Sequence, residues 1–270
     1  MHKKIFVSAI AVFIFYNINC IDSDLPKKVA QLTVEHPFAF FDLQISQQDL
    51  NFLQSLPIGV SDQFKKHETI ALNHYGNLDG YQGEIFEYLI SLGCDQDRAF
   101  KAAEIMYNIV HDILNLLDQP EAWVAIRSFT SNHSYDEARW HIDESLHTTD
   151  CGYSYKVIVA LKGASTLLCN PSATVRAEFF KTRSTASQSR NNAAQSVRTR
   201  LANLLSNSIV LSAKKGQAAV FIMGSEKFGA IHSEPIINEP RIFMSIVPGN
   251  HDQITELYDK WHTLIANRFR

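Results

Sequence analysis

The chain has 270 residues, 46% hydrophobic and 20% charged, a mixture that excludes both a disordered chain and a minimal scaffold held by staples. Its 25 Lys plus Arg against 28 Asp plus Glu give a formal net charge of −3, which carries no electrostatic footprint for nucleic acid. Four cysteines are too few for a disulfide-built fold, and eleven histidines are the one unusual count.

Met1 to Lys4 are followed by an apolar run from Ile5 to Tyr16 broken only by Ser8. This is the layout of a secretory signal peptide, and it is too short for a membrane span of about 20 apolar residues. The expectation is a signal peptide over residues 1–22, with cleavage near Cys20 or Ser23 and a secreted, periplasmic or lumenal destination; without it the chain is cytoplasmic. No membrane span remains after its removal. Cys94, Cys151 and Cys169 would be left, so at most one internal disulfide forms, and none has the CxxC spacing of a redox or zinc site.

Residues 23–120 read as a helical part packed on a core. Glu84 to Leu92 is a helix ended by Gly93, and Asp95 caps a longer one reaching Leu117. Within it Ala99, Ala102, Ala103, Met106, Val110, Ile113, Leu114 and Leu117 recur at helical steps and make one apolar face.

Residues 121–250 change texture. Short β-type runs occur at Trp123 to Phe129, Tyr155 to Leu161, Thr166 to Cys169, Ile209 to Ser212, Gln217 to Met223, Ala230 to His232 and Arg241 to Val247. Spaced by Gly, Pro and Asn, they predict a sandwich or barrel rather than a parallel sheet. Residues 170–208 form a polar, locally basic insertion with Arg176, Lys181, Arg183, Arg190, Arg198 and Arg200 against Glu178. It reads as a solvated loop leading into a helix near Val197 to Leu205, or as a flap over an anionic or polymeric substrate. Residues 251–270 give a C-terminal helix with Ile254, Leu257, Trp261, Leu264 and Ile265 on one stripe.

The chemistry-bearing segment is Trp140-His141-Ile142-Asp143-Glu144. In an extended chain His141 and Asp143 point to one face, so an imidazole nitrogen and a carboxylate oxygen can grip one ion. Two His and one carboxylate on one face of the metal suit non-haem Fe(II) oxygenases, because the other positions stay open. His147 offers a local third ligand, with His141, Asp143 and His147 as an alternative cluster. No GxSxG elbow, HExxH, P-loop or GxGxxG turn is present.

Beyond that segment, Gly216 opens a strand, His232 follows 91 residues after His141, and Arg241 stands nine residues further at the head of the last core strand. With this order the sequence resembles the Fe(II)/2-oxoglutarate-dependent dioxygenase superfamily over roughly residues 122–248, through its prolyl-hydroxylase-like members. The resemblance implies an α+β fold with a double-stranded β-helix (jelly-roll) core, N-terminal helices and a C-terminal helix. It implies that His141, Asp143 and His232 bind Fe(II) as the catalytic set, and that Arg241 pairs with the distal carboxylate of the cosubstrate 2-oxoglutarate, a task suited to a planar guanidinium. The serine that many members place two residues after the arginine is Phe243 here, and Ser245 lies about 13 Å from Arg241 at strand rise. Tyr155 is therefore expected to assist Arg241, with Tyr153 and Thr166 as runners-up. The implied reaction is hydroxylation of a C–H bond of a small-molecule or peptide substrate, with release of succinate and CO2. The alternatives are a cupin-like protein that binds a metal or small ligand without catalysis, and a secreted interaction module.

Overall fold

In the computed structural model, which describes residues 21–58, 69–130, 137–144, 154–187, 193–224 and 228–268, the Asp95 side chain accepts the Arg98 backbone N–H at 2.9 Å. It thereby caps helix α4 (Gln96–Leu116), satisfying one of the donors a helix start leaves open. The apolar face read from its sequence is buried from Ala99 to Leu114 and lies in one core cluster with Ile85 and Leu89 of α3 (Tyr81–Ser91). These two helices cover one face of the larger of two sheets.

That sheet has six antiparallel strands in the order β1 (Phe38–Asp42), β7 (Gln217–Met223), β4 (Ser154–Lys162), β9 (Arg241–Gly249), β3 (Glu121–Phe129) and β2 (Thr69–Gly76). The smaller sheet runs β6 (Val210–Ser212), β5 (Leu167–Cys169) and β8 (Ile231–Ser233). β4 pairs with β7 in the first sheet, and their continuations β5 and β8 pair in the second. One antiparallel ribbon thus winds from sheet to sheet, which makes the core a double-stranded β-helix, as expected. Where β4 turns into β5, Gly163 has φ +76°, and a Cβ there would stand 2.9 Å from the Pro240 carbonyl oxygen, so both conformation and space require glycine.

Strand alternation decides what each face of the large sheet meets. Val124 and Ile126, Val157 and Val159, Val220 and Ile222, Met244 and Ile246 face the helices. Trp123, Ala125, Ile158, Ala219, Phe221 and Val247 face inward, packing with Leu168 and Ala230 of the second sheet layer and with Leu257 of α7 (His251–Arg268). One end of the space between the sheets is therefore apolar. At the other end the inward residues are Arg127, Lys156, Arg241 and Ser245.

Two expectations change. The part over residues 23–120 is helical but also supplies β1 and β2, the two edges of the large sheet. β1 is Phe-Ala-Phe-Phe-Asp, with Phe38 and Phe40 inward and Phe41 outward, so its apolar residues do not alternate. In β2 the polar His74 faces the helices, where Glu84 Oε2 and the Asn77 carbonyl meet its ring nitrogens. The insertion at 170–208 is two helices, α5 (Ala173–Ser187) and α6 (Ala193–Leu205). Phe179, Phe180, Leu201 and Leu205 bury against Trp140, Ile142, Cys169 and Ile231 on the back of the small sheet. Ile21 is 2% exposed and bridges Leu43. Residues 1–20, His147, Cys151 and Tyr153 lie outside the described residues. Cys94 and Cys169 are buried free thiols, and among the described residues no helix is long and apolar enough to cross a membrane.

Candidate metal centre

His141 and His232 face each other across two adjacent extended segments. The His141 N–H donates to the His232 carbonyl at 2.8 Å and the His232 N–H to the His141 carbonyl at 2.9 Å. A residue pair opposed in this way projects both side chains to one face, and the two rings lie 4.2 Å apart between centroids. Asp143, two residues beyond His141, returns to that face, and its carbonyl accepts the Gly224 N–H at 2.9 Å. The parity that sends Trp140 and Ile142 to the α5–α6 cluster sends His141 and Asp143 inward.

The three side chains converge. His141 Nε2 is 3.7 Å from Asp143 Oδ1, and His232 Nε2 is 3.5 Å from Asp143 Oδ2. One ligand atom from each lies within 4.8 Å of the others. Both imidazoles are held by the opposite nitrogen: His141 Nδ1 is 2.7 Å from the Arg139 carbonyl and His232 Nδ1 is 3.0 Å from the Ala230 carbonyl. A carbonyl only accepts, so each Nδ1 carries the hydrogen and each Nε2 turns its lone pair to the cluster, the usual support for a metal-ligating histidine. Phe221 packs against His232 from the large sheet, its ring tilted by 43° at 4.7 Å between centroids.

Charge supports the same state. Burial raises the Asp143 carboxyl, but the Lys156 ammonium beside it holds it well below the usual carboxylate range; Lys156 Nζ lies 2.5 Å from Oδ2. Burial and the neighbouring His232 push His141 down to about 4, against the pull of Asp143. An anionic carboxylate beside a neutral imidazole is what a cation requires.

The cluster opens on a cavity between the sheets that Arg241 also lines. Arg241 is 1% exposed; its Nε donates to the Ala164 carbonyl at 2.8 Å and its Nη2 to Thr166 Oγ1 at 3.3 Å. Its guanidinium lies 4.4 Å from the Phe243 ring centroid and 5.5 Å from that of Phe129. Arg127 and Lys156 line the same cavity. Tyr155 does not. It sits on the helix-facing side of β4, packed against the main core cluster, because adjacent strand residues point to opposite faces. The hydroxyl that meets Arg241 is that of the runner-up Thr166, while Ser245 also lines the cavity four residues along the inward face of β9. Arg127, Lys156 and Glu234 are lining residues that the motif alone did not single out. Strand parity would have found two of them: Arg127 shares a face with Phe129, and Lys156 with Ile158.

Fold and site together define a double-stranded β-helix protein with a candidate two-histidine, one-carboxylate metal centre. No protein-family model matches the chain, and no curated protein matches it. Among solved structures it is similar to a dioxygenase for auxin oxidation from rice (TM-score 0.40, 8% identity, covering 76% of this chain and 70% of that one). It is similar also to an oxidoreductase of the 2OG-Fe(II) oxygenase family from Burkholderia pseudomallei (0.38, 10%, 83% and 89%). A third is a Pseudomonas putida prolyl-4-hydroxylase (0.37, 10%, 85% and 98%). Likenesses this loose leave the case for chemistry to the side chains themselves.

Proposed function

We propose that this protein is an Fe(II)- and 2-oxoglutarate-dependent dioxygenase that hydroxylates a C–H bond. The observation that carries the reading is a single cavity lined both by His141, Asp143 and His232 and by two further cations, Arg127 and Arg241. A metal site alone does not call for two further cations in its cavity. A dianionic cosubstrate that chelates the metal at one end does.

The residues fit the ion. Donors on a six-coordinate metal at roughly 2.1 Å stand roughly 3 Å apart; His141 Nε2 and Asp143 Oδ1 are 3.7 Å apart and the whole set lies within 4.8 Å, so an ion would draw the three side chains inward. Three protein ligands leave positions open toward the cavity. Bound there, Fe(II) supplies oxygen activation coupled to oxidative decarboxylation of 2-oxoglutarate to succinate and CO2. The chain's own part is positional and electrostatic. Arg241, locked by Ala164 and Thr166 and walled by Phe129 and Phe243, presents a desolvated fork to the distal carboxylate. Lys156 holds Asp143 Oδ2, leaving Oδ1 as the ligand oxygen. The Arg139 and Ala230 carbonyls keep both imidazoles in the ligating tautomer.

Anaerobic addition of Fe(II) and 2-oxoglutarate tests this, because chelation produces a visible charge-transfer band. The band is expected in the wild type and absent in His141→Ala. No band in the wild type refutes the reading and favours a cupin-like binding protein.

A further inference from the structure

A second opening reaches His141 from outside the sheets. It is a cleft of about 390 Å³ beside the edge formed by residues 139–141, walled by the two insertion helices. His141 and Glu234 line both this cleft and the inner cavity, so His141, of the three candidate ligands, stands where the two spaces meet. Its volume falls in the range of small-ligand sites, roughly 300–1,000 Å³, and is too small for a folded partner.

Its lining is divided by chemistry. Arg183 of α5 and Arg198 of α6 supply positive charge from the helical wall, and Arg139 supplies it from the sheet edge. Trp140, Val197 and Leu201 give an apolar surface between them. Among the described residues neither Arg183 nor Arg198 has a carboxylate partner. The one acid described in the two helices, Glu178, lies 3.6 Å from Lys181. Arg183 is steadied over the Phe179 ring at 5.9 Å, and the other helix arginine with a resolved role, Arg176, is committed to the Gly229 carbonyl at 2.6 Å. Among the described residues the only acid lining the cleft is Glu234, which with His141 also lines the inner cavity.

Resting on the oxygenase reading, we infer that this cleft is the substrate site and takes a small organic molecule with an oxyanion head and an apolar body. The helix arginines hold the head, Trp140, Val197 and Leu201 cover the body, and Glu234 repels the head from the metal end. The C–H bond offered to the metal therefore belongs to the apolar body. This gives the basic insertion a task that its exposed sequence pattern left open.

The probe pair 3-phenylpropionate and its neutral amide tests the inference by calorimetry on the full chain. The acid is expected to bind at least about tenfold more tightly than the amide, and Arg183→Gln with Arg198→Gln to abolish the difference. With Mn(II) at the triad, the ring protons of the bound acid should broaden more in NMR than the methylene beside the carboxylate. Equal affinities in the wild type, selectivity that survives the double substitution, or stronger broadening beside the carboxylate each overturn the inference. The wild-type comparison stands even where the double variant does not fold. Acid selectivity and Mn(II) broadening without an Fe(II)/2-oxoglutarate band support the cleft assignment and refute the oxygenase reading alone; the band without selectivity refutes the cleft assignment alone.

Discussion

Arg241→Gln is the substitution whose consequence follows most directly from the geometry. The guanidinium is 1% exposed, fixed by the Ala164 carbonyl and Thr166, and enclosed by two aromatic rings, so a carboxylate meeting it does so out of water. Truncating one partner of such a desolvated, hydrogen-bonded charge pair costs about 2–5 kcal/mol, or about 30-fold to several-thousand-fold in dissociation constant. Arg241→Lys keeps the charge but loses the fork, and should fall between wild type and Gln. Calorimetric titration of 2-oxoglutarate into Mn(II)-loaded protein measures the effect, and Mn(II) affinity serves as the control for folding. Because Arg241 is not one of the three ligands, Mn(II) affinity should change less than about threefold while 2-oxoglutarate affinity collapses. Unchanged 2-oxoglutarate affinity would refute the role given to Arg241, and a parallel loss of both would show that it acts through the fold.

Thr166→Val should weaken 2-oxoglutarate binding by about 1 kcal/mol, roughly fivefold, whereas Tyr155→Phe should leave it unchanged; the reverse ranking in the same titration would return the assisting role to Tyr155. Asp143→Ala leaves the Lys156 ammonium, 13% exposed, without its carboxylate and should destabilise the metal-free protein by about 3–5 kcal/mol. Adding Lys156→Met should recover most of that loss in urea unfolding, and no recovery would mean the pair is not coupled. The third concerns pH. Folding lowers His141 from 6.5 to about 4, so between these values the unfolded chain holds a proton the folded chain has released. The stability of the EDTA-treated protein is full above pH 6.5 and falls as the pH drops toward 4. Urea midpoints at pH 7 and pH 5 should show this loss, and His141→Gln should reduce it; an identical loss in the variant would place its source elsewhere.

The sequence carried the core strands well because each is short, apolar and bounded by turn residues: Gln217–Met223 was read to its exact ends. Asp95 marked its helix because a capping side chain works locally. The two edge strands escaped because nothing local distinguishes them. β1 is apolar on both faces, and the polar side chain of His74 in β2 finds its partner Glu84 only once the chain has folded. At the site, His141 and Asp143 were legible from spacing two apart, and His232 and Arg241 from their order. Lys156 and Arg127 were not, since a charged residue in a strand declares a role only when the inward face is known. Tyr155 failed for the same reason, by one position of register.

A crystal structure grown anaerobically with Mn(II) and 2-oxoglutarate tests the central claim most directly. A single anomalous peak bound by His141 Nε2, Asp143 and His232 Nε2, with the far carboxylate of 2-oxoglutarate on Arg241, is the predicted result. A metal held by other residues, or a cosubstrate whose carboxylate avoids Arg241, would contradict it.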